Sequence, residues 1–178
     1  MGRITRAKPV KLIAGFIFKD ERYLIKAESI LARKFGKIDF KSQVIPFDFT
    51  DYYAQEFGDN LKRVFVSFKN LISPKYLSSA KVITNRIEEK LSLSGNRLIN
   101  IDPGYLDAAR LVLASTKDFA HRIYLDKGIF AETTLIFKDH SFRGWEWTYP
   151  DYKKEEYIEI FHKIRALFLR QCQSTPRT

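Results

Sequence analysis

The chain has 178 residues, 45% of them apolar and 15% aromatic, enough to build a sizeable core and too apolar for disorder beyond the ends. Its 31 Lys and Arg outweigh 21 Asp and Glu for a net charge of +10, which favours polyanionic partners such as RNA, nucleotides or phosphorylated metabolites. No apolar run approaches the ~20 residues that span a bilayer, and the single cysteine, Cys172, excludes a disulfide framework or a thiolate metal site. The expectation is one domain over residues 1–178, cytoplasmic and without membrane association, with residues 1–8 a flexible basic arm and 173–178 a flexible polar tail. The oligomeric state is left open.

Residues 10–18 form an apolar run of strand length closed by Lys19-Asp20. Asp20 is placed to cap a helix whose apolar positions Tyr23, Leu24, Ala27, Ile30 and Leu31 share one face, with Gly36 to end it. Residues 37–49 read as a strand bent near Pro46, and residues 51–59 as a turn or short helix. Residues 61–68 alternate as a strand, with Val64, Val66 and Phe68 opposite Phe65. Ser73-Pro74 makes a helix entry, leading through Leu77, Ala80, Ile83, Ile87 and Leu91 to a stop at Gly95, and 97–101 returns to strand. A further strand over 111–116 and a hairpin across 122–137 follow. A last helix over 152–171 is capped by Asp151 and docks through Tyr157, Phe161, Ile164 and Phe168.

This order predicts an α+β fold: a mostly antiparallel or mixed sheet with a ferredoxin-like β-α-β-β-α-β core, an added strand and hairpin, and a C-terminal helix. The hairpin turn Asp126-Lys127-Gly128 admits two registers. Three loop residues set Leu125 against Ile129, Ile123 against Ala131 and Arg122 against Glu132, whereas two would set Ile123 against Glu132. The first register is better chemistry and predicts an Arg122–Glu132 pair, worth roughly 0.2–1 kcal/mol as an ordinary cross-strand contact.

Between residues 96 and 152, polar side chains recur inside otherwise core-like segments, and such groups must pair, reach water or face a ligand. Lys117 and Arg122 suit phosphate oxygens, with Asn100, Tyr105, Thr116, Asp151 and Tyr152 as further ligand contacts. Asp102 and Glu132 are hard-oxygen candidates for magnesium held together with a substrate phosphate. Asp102, Glu132 and His121 are the candidate catalytic groups, with Tyr105 and Tyr124 as nearby donors. Pro103-Gly104 is read as a turn that presents Asp102 at a strand end, with an Asx turn as the structural alternative; for Asp151 that alternative is the helix cap. Asn85 and Glu88 lie on the side of the second helix that can turn toward such a pocket. Trp145, Trp147 and Tyr149 alternate as an aromatic rim able to stack a base or to close the core.

The segments Asn100-x-Asp102-Pro103-Gly104-Tyr105, Leu113-Ala114-Ser115-Thr116-Lys117, His121-Arg122-Ile123-Tyr124 and Thr148-Tyr149-Pro150-Asp151-Tyr152 resemble the signature of a prokaryotic family, domain of unknown function family 4416. The resemblance runs from Lys11-Leu12 to the last helix. Members of that family often carry the label GTP-binding protein, so the resemblance implies GTP binding, and it implies no catalytic residue. The residues contain no G-x-x-x-x-G-K-[ST] loop. Thr116-Lys117-Asp118-Phe119 misses T-K-x-D at its fourth position, and Asp102-Pro103-Gly104 misses D-x-x-G by one residue. GTP would therefore be bound by another route. The expected function is binding of a nucleotide or another phosphorylated small molecule in a polar pocket, with turnover left open, against two alternatives: an RNA-binding module, or a non-catalytic interaction subunit.

Overall fold

The computed structural model describes residues 2–48 and 59–174. The turn or short helix expected over 51–59 lies almost wholly outside them, as do residues 175–178. Among the described residues the fold is α+β, built on one mostly antiparallel open sheet with three α-helices. In chain order the elements are β1 (Val10–Phe18), α1 (Glu21–Phe35), β2 (Ile38–Lys41), β3 (Ile45–Phe47), β4 (Leu61–Ile72), α2 (Leu77–Lys90), β5 (Ile99–Leu106), β6 (Arg110–Ser115), β7 (Ile123–Asp126), β8 (Ile129–Lys138), β9 (Ser141–Gly144) and α3 (Glu155–Ser174). Short 3-10 turns, Pro74–Tyr76 and Pro150–Lys153, lead into α2 and α3.

The sheet runs β2-β4-β1-β5-β6-β8-β7, with β3 also on β4 and β9 on β8. The nine strands among the described residues exceed the four of the expected core. β1 is buried along its whole length because both faces are covered. Leu12, Ala14, Phe16 and Phe18 pack with α1 and α2, while Ile13 packs with α3 residues Tyr157, Phe161 and Ile164. β4 divides in the same way, Val64, Val66 and Phe68 facing α1 and α2 and Phe65 facing α3, as its alternation predicts.

Local signals explain most boundaries. Asp20 Oδ1 accepts from the Arg22 backbone N–H at 2.9 Å, and Gly36 ends α1 with φ 99, where a Cβ would sit 2.3 Å from Asn70 Nδ2. The stretch around Pro46 is two strands: β3, which holds Pro46, pairs only with β4 and so tolerates a residue with no N–H. Pro74 opens the 3-10 turn as expected, but Ser73 makes no side-chain cap bond, and α2 stops at Lys90. Gly95 lies beyond it, with φ 84, in the tight turn of the Leu93–Asn96 bridge.

The β7–β8 hairpin combines the two registers. Asp126 faces Ile129 across a two-residue turn, with Lys127 and Gly128 at φ 57 and 72, the signature of a type I′ turn. A bulge at Leu125 then restores Ile123 opposite Ala131, so Leu125 does not face Ile129. Residues 145–149 are a loop and not a strand, because β9 ends at Gly144. Among the described residues no helix is long and apolar enough to cross a membrane.

Candidate functional site

The site is made by a split in the sheet. β5 pairs with β1 along its full length, but β6 joins it only at Gly104, Tyr105 and Leu106. Beyond that point β6 turns away with β8, and a cavity of about 690 Å³ opens between the strands. Such a volume suits a ligand of nucleotide size. At the crotch of the split, a Cβ on Gly104 would lie 2.5 Å from the Val112 carbonyl oxygen, so only glycine lets β5 and β6 meet there.

The unpaired edge of β5 still needs hydrogen bonds, and α2 supplies them. Glu88 accepts from the Ile101 N–H, and Lys81 Nζ donates to the Ile101 carbonyl at 3.1 Å. Alternate residues of a strand present their N–H to the same side, so Pro103 also faces the split, where no donor is required. Pro103-Gly104 is therefore interior to β5, and the expected turn at a strand end is corrected: Asp102 lies in mid-strand with a strand neighbour on one side only. Its carboxylate makes no Asx turn; it accepts from Lys81 Nζ at 3.3 Å and from Asn100 Nδ2 at 2.7 Å.

Across the floor lies Arg63 of β4, one of the largest fully buried side chains in the protein. Its guanidinium donates to Asp151 Oδ2 at 3.3 Å, approaches Asp102 Oδ2 at 3.9 Å, and is caged by the rings of Phe47, Phe65, Tyr152 and Tyr157 at 4.9–5.9 Å. The ring faces stand in for acceptors that Nε and Nη1 otherwise lack. Asp151 thus serves the cavity from the 3-10 turn ahead of α3 and is not a cap on that helix.

The two carboxylates beside Arg63 are driven in opposite directions. Burial raises Asp102, but Lys81 and Arg63 outweigh it and hold the group below the ordinary aspartate value. Burial also raises Asp151, and there it wins over Arg63. Glu88 is likewise raised, by burial ahead of the opposing pull of Lys81 and the Ile101 N–H. Burial pushes the Tyr157 phenol up to about 12 and Tyr152 well above its ordinary value, so both stay protonated and neutral.

On the β6–β8 wall, the expected pair is present. Arg122 meets Glu132 at 2.9 Å with both side chains only 4% exposed, and also donates to Ser115 Oγ at 2.7 Å. Burial makes this pair more consequential than the ordinary surface contact expected of it. Thr116 and Lys117 line the same wall.

Of the sequence-selected residues, Asn100, Asp102, Thr116, Lys117, Arg122, Glu132, Asp151 and Tyr152 line the cavity, as do Asn85 and Glu88. Tyr105 does not; it packs with Leu77, Val112, Ala114 and Ile129. Tyr124 is exposed on β7, and His121 stands outside the lining, bonded to Glu132 at 3.1 Å and stacked on Trp147 at 5.3 Å. Asp102 and Glu132 do not form a preassembled metal pair: the first is held by Lys81, Asn100 and Arg63, the second by Arg122, His121 and Thr134. Among the described residues no group of three or more His, Cys, Asp or Glu is placed to hold a metal ion.

Sequence reasoning missed Arg63, Lys81 and Arg97, although the first two leave a legible signal. Leu61, Arg63, Phe65 and Ser67 share one parity of a strand, so Arg63 falls between two inward apolar positions. Lys81, Thr84 and Glu88 recur at i, i+3 and i+7 on the buried face of α2, a polar stripe where an apolar one is expected.

Comparison with curated proteins and with solved structures finds no match. Residues 8–168, nearly the whole chain, match the family model described as Domain of unknown function (DUF4416), and the chain belongs to that family.

Proposed function

We propose that the cavity binds, and turns over, a nucleotide or another phosphorylated small molecule. The observation that carries this reading is the convergence of Arg63, Lys81, Arg97, Lys117 and Arg122 on one cavity of nucleotide size. Five carboxylates, Glu88, Glu89, Asp102, Glu132 and Asp151, line the same volume. A bare polyanion would meet their repulsion, so the phosphate enters with magnesium as its counter-ion and draws the metal from solution. In turnover, Asp151, raised by burial, is the group suited to give or take a proton, while Asp102 remains the anion. GTP, implied by the family label, is one ligand of this class, reached without a phosphate-cradling loop.

The strand order β2-β4-β1-β5 with α1 and α2 on one face is what a ferredoxin-like unit would present. On that reading β6 to β9 and α3 are the addition that supplies the second wall of the cavity.

Thermal-shift titration of the full chain with nucleotides, sugar phosphates and short RNAs, each with and without magnesium, tests the proposal. The expected result is a magnesium-dependent rise for a small phosphorylated ligand, reduced in a folded Lys117→Ala variant. A response to RNA alone, falling steeply with salt, would replace the pocket reading with the RNA-binding one, which the net charge of +10 favours.

A further inference from the structure

The cavity mouth carries an aromatic feature that the phosphate reading does not use. Trp145, Trp147 and Tyr149 are 38–47% exposed in the loop ahead of the 3-10 turn that supplies Asp151 and Tyr152. Large aromatics left in water forfeit burial, and a loop of them is ordinarily free to fold them away. Here the loop is pinned. Thr148, itself buried, donates from Oγ1 to the Thr134 carbonyl at 2.6 Å and accepts from the Trp145 N–H at 2.8 Å. Trp147 Nε1 donates to the Thr133 carbonyl at 3.3 Å. The two indoles stack at 5.2 Å and 10°, and His121 continues the stack at 5.3 Å and 12° while holding Glu132 of the cavity wall. Tyr149 is the member of this lip that lines the cavity.

We propose that Tyr149, set by this braced lip, is the stacking surface for the base of a nucleotide whose phosphates lie among Lys117, Arg122 and Arg97. The inference rests on the cavity reading and narrows it, from phosphorylated small molecules in general to those carrying an aromatic ring. Stacking on a phenol face is tolerant of base identity but favours the larger ring, so purine nucleotides bind better than pyrimidine ones. A sugar phosphate has nothing to place on Tyr149.

The test is calorimetric titration of the full chain in magnesium with GTP, ATP, CTP, ribose 5-phosphate and inorganic tripolyphosphate. Expected are purine nucleotides binding about tenfold or more tighter than tripolyphosphate, an advantage lost in Tyr149→Ala and kept in Tyr149→Phe. Tripolyphosphate binding stays within about twofold across these variants and falls in Lys117→Ala. Equal affinity for GTP and tripolyphosphate, or an equal loss of both in Tyr149→Ala, overturns the stacking site and leaves the phosphate cavity standing. No binding of any probe overturns the cavity and the stacking site together.

Discussion

The two ends of β1 handle buried charge differently. At the Lys11 end the sheet is continuous on both sides, and Lys11, fully buried, is met by Asp39 and Gln171, with Ser67 also donating to Asp39. At the Ile17 end the sheet has split beyond β5, and the buried cation beside it, Arg63, makes one long hydrogen bond to Asp151 and a 3.9 Å ion pair with Asp102 and is otherwise wrapped in rings. Lys11 reads as a tie holding β2, β1 and the end of α3 together. Arg63 reads as a fixed charge that lowers two carboxylates facing a cavity, behind Lys81 at Asp102 and against burial at Asp151. Burial alone does not separate these roles; what separates them is whether the partners are all engaged with one another or also face open volume.

The largest effect that would test this contrast is on stability at the closed end. Lys11→Met strands Asp39 and should cost about 3 kcal/mol or more in urea unfolding, with ligand affinity of the folded protein unchanged. A loss of ligand binding with stability intact would reverse the assignment of Lys11. Next, Gly104→Ala forces a Cβ onto the Val112 carbonyl oxygen and should cost about 1–3 kcal/mol, with hydrogen exchange rising first in β6, where the two strands would be wedged apart. A neutral outcome would mean that the close approach of β5 and β6 is not needed to shape the cavity.

The smallest and most diagnostic effect is on pH dependence. Asp151 and Glu88 have folded values above their unfolded ones, so the folded state gains relative stability as pH falls from neutrality through those raised values. Asp102 has the opposite sign: its contribution is complete above the ordinary 3.8 and is lost as pH falls through its depressed folded value. Arg63→Met removes a group that lowers both aspartates. The acid-side gain from Asp151 should therefore begin at higher pH in that variant, and the protection from Asp102 should shrink. Lys11→Met should leave the Asp151 and Asp102 transitions where they are, and equal shifts of those two transitions in both variants would erase the distinction between the two cations.

Much of the fold was legible because it rests on local rules. The caps of α1, the alternation of β4 and the apolar face of α3 each follow from side chains within a few residues of one another. The Arg122–Glu132 pair was legible for the same reason, since a short turn limits the registers to two. Even there the turn itself was read one residue too long, because a bulge at Leu125 lets a type I′ turn coexist with the better pairing. Asp102 lines the cavity, but in mid-strand and not at the strand-end turn expected for it. Pro103-Gly104 usually breaks a strand, and here it survives in one because β6 is absent beside Pro103 and too close beside Gly104 for any side chain.

By itself the sequence determined the α+β class, most of the elements, the charge of the surface and the concentration of polar groups between residues 96 and 152. These depend on periodicity and composition, which act along the chain. Only the tertiary structure decided that Arg63 from β4 and Lys81 from α2 reach those groups, that Tyr105 packs half-buried outside the cavity lining, and that His121 stands outside the cavity. Those outcomes depend on which strands run side by side and where one pairing stops. The cost of an unpaired strand edge and the space left by a diverging neighbour do not exist until the sheet has formed.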